Sequence, residues 1–400
     1  MQSSLIALNL GEIFSSLWGS MGLGQGTWQN YVMLAIACVL FFVAIRYKAE
    51  PMLLLPIAFG MFLINIPGAE NVLWGVYPEG LTEAEHTFEA VIPETRGLLW
   101  YLYFGVDKVI YPPLIFLGIG AMTDFGPLIA NPKSMLIGAG AQLGIFIALF
   151  GAILLGFTGA EAAAIAIIGG ADGPTAIYVS KTLAEHLVPT IAIAAYSYMA
   201  LIPFLQKPFM RLLTTPKERA IRMKPLRQVS KVEKIMFPII VTLVVGILLP
   251  DAIPLLGMLM LGNLFRESGV VERLSSQAQN GLINTVTIFL GIAVGCKAKG
   301  EMFLAPQTIY ILLMGVTAFI CGTVGGLLVA KLMCKITKGQ INPLIGSAGV
   351  SAVPMAARIS EDVGRETDPS NHLLMHAMGP NVAGVIGSAL AAGVLLACFG

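Results

Sequence analysis

The chain has 400 residues, of which 56% are hydrophobic and 12% charged. Soluble domains carry about 25% charged residues, so this composition excludes an ordinary soluble domain. With a mean hydropathy of +0.81 and apolar stretches long enough to cross a bilayer as helices, it describes a multi-pass α-helical membrane protein. The net charge of +1 says nothing about partners, and no nucleic acid is expected among them. The five cysteines (Cys38, Cys296, Cys321, Cys334, Cys398) form no CxxC pair or metal spacing and read as small hydrophobes.

Residues 1–29 contain no Lys or Arg, so no signal peptide is expected there, and their Leu, Ile, Phe and Trp residues point to an interfacial helix. Apolar segments follow at about 30–45, 51–67, 98–122, 134–157, 161–180 and 188–206. A polar stretch, 207–234, carries nine Lys and Arg residues. Further apolar segments lie at about 235–250, 254–265, 277–295, 307–330, 341–358 and 371–399. Basic loops face the cytoplasm, which puts 207–234 inside, along with Arg46 and Lys48. The Glu-rich loop 68–97 is placed outside. Counting crossings from there, the segment 161–180 has to enter and leave on the outer side, so it is expected to be re-entrant or a pair of half-helices.

Its residues give the same reading independently. Gly169-Gly170-Ala171-Asp172-Gly173-Pro174-Thr175-Ala176 cannot continue a regular helix. An Asp at membrane depth costs roughly 2.5–3.5 kcal/mol on insertion scales and marks an ion path by default. Broken backbone at that depth persists only where protein or a water-filled cavity satisfies it.

The chain also repeats itself. Pro51-Met-Leu-Leu-Leu-Pro resembles Pro254-Leu-Leu-Gly-Met-Leu, and Phe116-Leu-Gly-Ile-Gly resembles Phe289-Leu-Gly-Ile-Ala. Ile168-Gly-Gly-Ala-Asp-Gly-Pro-Thr-Ala falls opposite Ile345-Gly-Ser-Ala-Gly-Val-Ser-Ala. The expected fold is all-α with two inverted repeats, each of about five crossings plus one broken or re-entrant segment. The expected units are an N-terminal interfacial segment (1–29), membrane repeat 1 (30–206), a basic cytoplasmic linker (207–234) and membrane repeat 2 (235–400). Two broken segments would then meet from opposite faces, as in ion-coupled transporters.

The second broken stretch, Asn342-Pro343-Leu344-Ile345-Gly346-Ser347-Ala348-Gly349-Val350-Ser351, offers only neutral oxygens. Hard cations take oxygen ligands, and one carboxylate with neutral oxygens suits a monovalent cation such as Na+ by charge balance. In Tyr196-Ser197-Tyr198, Tyr198 reads either as an interfacial anchor or as a phenol serving an ion site. Arg358 either snorkels or pairs with an anionic ligand. Asp107-Lys108, His376 and Asn381 read first as structural. On the residues alone, a Na+-coupled secondary transporter of an organic anion remains an alternative.

At these motifs the chain resembles the β subunit of the sodium-pumping biotin-dependent decarboxylases, which act on oxaloacetate, methylmalonyl-CoA or glutaconyl-CoA. Phe116-Leu-Gly-Ile-Gly-Ala-Met-Thr-Asp-Phe-Gly-Pro and His376-Ala-Met-Gly-Pro-Asn-Val-Ala-Gly-Val-Ile-Gly share in the resemblance. It implies decarboxylation of carboxybiotin, presented by a partner, coupled to Na+ export and proton consumption. It implies catalytic roles for Asp172, Tyr198 and Arg358, with Arg358 on the carboxybiotin carboxylate. Na+ ligation is implied for Asp172, Asn342, Gly346 and Ser351. The implied partners are a carboxyltransferase (α) subunit, a biotin carrier protein, a small γ or δ membrane subunit and further β copies, in the cytoplasmic membrane of a bacterium or archaeon.

Overall fold

The computed structural model describes residues 22, 26–47, 51–78, 80–81 and 87–400. Nearly all of the segment 1–29, together with Lys48 and three of the loop glutamates (Glu79, Glu83, Glu85), lies outside the described residues. The longer helices are α1 (Trp28–Arg46), α2 (Pro51–Ile64), α3 (Leu98–Asp107), α4 (Tyr111–Met122) and α5 (Ser134–Leu154). Then come α6 (Gly159–Ala166), α7 (Gly173–Leu183), α8 (Val188–Leu213), α9 (Lys231–Leu248) and α10 (Ile253–Ser268). The last four are α11 (Glu272–Gly295), α12 (Pro306–Ile336), α13 (Met355–Thr367) and α14 (Leu374–Phe399). No strand occurs among the described residues. Among the described residues five helices are long and apolar enough to cross a membrane, or up to seven if each bent pair is one span. One such pair is α3 with α4, bent by 68° at a break where Val109 takes φ +54°.

At two crossings, helices approach backbone to backbone where glycine removes the side chain. A Cβ on Gly60 of α2 would lie 2.2 Å from the Ile292 carbonyl oxygen of α11, and one on Gly295 would lie 2.1 Å from that of Ile57. The α4–α10 crossing repeats the arrangement: a Cβ on Gly120 would meet the Leu259 oxygen at 1.9 Å, and one on Gly262 the Leu117 oxygen at 2.0 Å. Small residues at such crossings let van der Waals packing drive helix association where lipid removes the hydrophobic incentive.

Ion pairs lie toward both ends of α8. α8 is bent by 59° between Met199 and Leu201 and leads from the end of the first broken segment to the basic linker. At its far end Arg211 pairs with Glu366 (2.8 Å), and the linker's Arg222 pairs with Asp368 (2.7 Å). Near its start, a buried cluster joins α7 to α3: Lys181 reaches Asp107 at 2.8 Å and Glu185 at 2.7 Å. Asp107 also pairs with Lys108 at 2.9 Å. The Asp107–Lys108 couple expected from the sequence is present, and Lys181 and Glu185 extend it into a cluster.

Candidate functional site

Both broken stretches are hairpins that enter and leave on one side of the bundle. In the first, Thr158 and Glu161 form a capping box that starts α6, and Glu161 then accepts from His186, just beyond α7, at 3.0 Å. The two ends of the hairpin are thus held together on the face away from the basic linker. In the second, Asn342 donates its amide to the Arg219 and Ile221 carbonyls, both at 2.9 Å. Asn371, beyond α13, donates to the same two carbonyls at 3.0 and 3.2 Å. The linker backbone therefore clamps both ends of that hairpin on the basic face.

The tips meet inside the bundle. The first unwinds through a 3-10 turn, Ile167–Gly170, to Ala171, which takes φ +56°. The second unwinds after a 3-10 turn, Pro343–Gly349. The Ser351 N–H donates to the Gly170 carbonyl at 3.1 Å, joining one break to the other.

Asp172 sits at this junction and is 6% exposed. It N-caps α7, with its Oδ1 accepting from the Thr175 N–H at 3.4 Å. The Ser388 hydroxyl of α14 donates to Oδ2 at 2.9 Å, and the Ser351 hydroxyl donates in turn to Ser388 Oγ at 3.0 Å. The carboxylate, the helix α7 N-terminus and a serine from each of two other elements thus converge. Asp172 is the one charged group in these contacts.

Two acceptor oxygens on the elements that form the junction lack donors. Asn381 of α14 gives its amide N–H groups to the Ala348, Val350 and Ala352 carbonyls (3.0, 2.7 and 3.4 Å), and its buried Oδ1 has no partner among the described residues. Gln142 donates to Gly384 O at 3.3 Å, and its buried Oε1 is likewise unpartnered. That oxygen borders the junction, 3.9 Å from where a Gly170 Cβ would stand. Buried polar atoms without a partner are rare, and acceptor oxygens beside a carboxylate are what a hard cation needs.

The other sequence-predicted residues fall elsewhere. Asn342 is not brought to Asp172. Its side chain is spent on Arg219, Ile221 and the Leu344 N–H (3.0 Å). It stands a seven-residue 3-10 turn before the break, a rise of about 14 Å. Gly346 packs the hairpin onto α12, where a Cβ would lie 2.4 Å from the Gly326 oxygen. Tyr198 donates to the Leu312 carbonyl of α12 at 2.5 Å. Tyr196 is the tyrosine against the Asp172 turn: its ring fills the space where a Gly173 Cβ would lie 2.1 Å away. Arg358 is exposed on α13 and makes no ion pair among the described residues. Ser388 and Gln142 were missed. The available signal was a polar residue inside an apolar tract, the same signal that found Asp172.

A family model described as the Na+-transporting oxaloacetate decarboxylase beta subunit matches residues 29–399. The chain belongs to this family. It is 57% identical to the methylmalonyl-CoA decarboxylase subunit beta of Propionigenium modestum over 386 residues, covering 96% of this chain and 97% of the relative. It is 54% identical to the glutaconyl-CoA decarboxylase subunit beta of Acidaminococcus fermentans over 374 residues, covering 94% of each. To the oxaloacetate decarboxylase beta chain 2 of Salmonella typhi it is 53% identical over 419 aligned positions, covering 94% of this chain and 96% of the relative. The chain is therefore a membrane beta subunit of a Na+-transporting decarboxylase, and relatives named for three different substrates resemble it nearly equally.

Proposed function

We propose that the junction of the two hairpins is where Na+ crosses, and that its occupancy is governed by the protonation of Asp172. The observation that carries this reading is the buried carboxylate that accepts from Ser388, which in turn accepts from Ser351, with the unpartnered Gln142 oxygen bordering the same junction and the unpartnered Asn381 oxygen on the same helix as Ser388. Na+ is cargo here. Asp172 supplies the charge, and the Ser351, Ser388, Asn381 and Gln142 oxygens supply neutral ligands. One carboxylate cannot hold Na+ and a proton well together, so protonation would release the ion. Moving one charge against 100 mV costs about 2.3 kcal/mol, and decarboxylation is the source of that energy.

In this reading carboxybiotin arrives on the basic face, carried by a biotin carrier protein loaded by a carboxyltransferase subunit. The unpaired Arg358 guanidinium is suited to its carboxylate. On the same face a cavity of about 500 Å³ is lined by Arg222, His372 and His376, which also suits an anionic head group. Tyr198 would assist proton transfer through the α12 backbone side of the site. A small γ or δ subunit, further β copies and a cytoplasmic-membrane location complete the assembly. Asn342 and Gly346 act by holding the second hairpin in place rather than as ligands. The inverted-repeat reading is supported by the paired crossings. α2 and α4 belong to one half and pack on α11 and α10 of the other, and the sequence matches relate α2 to α10 and α4 to α11.

Purification of the native complex tests the whole reading. A biotinylated protein should co-purify, and the complex should decarboxylate in a Na+-stimulated manner. A chain that purifies without a biotinylated partner and shows no Na+ stimulation would refute it. Ser388→Ala tests the junction alone. Hydrogen bonds to charged groups contribute about 1.5–3 kcal/mol, so the Na+ concentration for half-maximal stimulation should rise about tenfold or more. An unchanged Na+ dependence would remove Ser388 from the site.

A further inference from the structure

At the basic-face end of α12 a cavity of about 360 Å³ is lined by Glu218, Lys331, Leu332, Cys334, Lys335, Lys338 and Gly339. Its charge is one-sided. The carboxylate of Glu218 is already engaged by the Thr215 N–H at 2.7 Å and by Lys331 at 3.4 Å. Lys331 also donates to the Leu213 carbonyl at 2.9 Å. Lys335 and Lys338 are exposed and make no ion pair among the described residues. Two ammonium groups thus face the cavity with nothing of opposite charge to meet them.

The lysines stand beside an apolar strip. Leu328, Leu332 and Ile336 follow one another at intervals of four residues and are 51%, 58% and 70% exposed. Residues four apart share a helix face, so the strip extends about 12 Å down α12. Lys331 and Lys335, also four apart, flank it. The chain then reverses at Lys338, which takes φ +53° just before Gly339 at φ +83°. A left-handed conformation costs a residue with a side chain roughly 1–2 kcal/mol, and glycine or asparagine is the usual occupant. Here a lysine occupies it and lines the cavity.

We propose that this cavity binds the phosphodiester head group of an anionic phospholipid, with an acyl chain lying along Leu332 and Leu328. Basic pockets at the cytoplasmic ends of membrane helices take such head groups, with each nearby lysine worth about a fivefold change in affinity. The strip gives the lipid something a free phosphate lacks, because a phosphate ion would bury none of it.

The test uses the full chain in nanodiscs of phosphatidylcholine mixed with phosphatidylglycerol, with retained lipid read by native mass spectrometry. The wild type should retain phosphatidylglycerol preferentially. The Lys335→Gln, Lys338→Gln double variant should lose that preference about twentyfold to thirtyfold. Leu328→Gln with Leu332→Gln keeps the charge and should also weaken retention. The proposal is overturned if the wild type shows no preference, if the lysine variant retains phosphatidylglycerol undiminished, or if inorganic phosphate strips the lipid as readily from the wild type as from the apolar-strip variant.

Discussion

Asp172→Asn should abolish decarboxylation-driven Na+ uptake into reconstituted vesicles, by at least about a hundredfold. The substitution keeps the local geometry. The asparagine oxygen can still accept from the Thr175 N–H, so α7 stays capped, and its NH2 in the place of Oδ2 can donate to Ser388 Oγ, whose own hydroxyl then keeps to the Val385 carbonyl and still accepts from Ser351. What it removes is the one charge among the described contacts of the junction. A cation buried without a counter-charge costs several kcal/mol, and each 1.4 kcal/mol is tenfold in occupancy. A folded variant that takes up Na+ at the normal rate would disprove the site. Folding is checked separately by thermal unfolding of the purified protein, which should shift little.

Gly295→Val should have the opposite signature, failing in folding rather than in ion handling. Its first side-chain carbon would lie 2.1 Å from the Ile57 carbonyl oxygen and 2.9 Å from Met61 N. Those are backbone atoms, so no rotamer change relieves the overlap and α2 must move away from α11. An ordinary overpacking costs about 1–3 kcal/mol; here a whole helix crossing is displaced, and the loss should exceed that range. The expected result is a sharp fall in melting temperature in detergent and in the yield of monodisperse protein. Gly295→Ala should be milder but still destabilising, since the offending atom is the Cβ itself. A valine variant as stable as the wild type would mean that the α2–α11 contact is not as close as described.

Part of the candidate site's geometry was legible in the sequence. Asp172 stood out because a carboxylate between Gly-Gly and Gly-Pro in an apolar tract has few explanations. The loop charges required its segment to turn back, and Glu161 meeting His186 is that return. Other features depended on three-dimensional register. Tyr196 and Tyr198 lie on different sides of one helix, and the sequence does not say which side faces the Asp172 turn. Asn342 aligns near the second break in sequence, yet the 3-10 turn after it carries the break away, leaving the amide at the linker carbonyls. Ser388 is 216 residues from Asp172, and only folding brings the two together. Asn381 was noticed but read as structural. It is that, through three carbonyls, and its remaining oxygen is what the sequence had no means of showing.

The ion cluster at the far end of α7 bears on how the junction can move. α7 has 11 residues, about 16 Å of rigid rod, with Asp172 at one tip and Lys181 near the other. Lys181 is bolted to Asp107 of α3 and to Glu185. A rod fastened at one end can swing but cannot slide along its own axis. Gain or loss of a cation at Asp172 would therefore be expressed as a tilt of α7 about the Lys181 pivot. Because the Ser351 N–H holds the Gly170 carbonyl just before that tip, the swing would pull on the tip of the second hairpin, and the salt-bridge cluster would serve as the hinge pin.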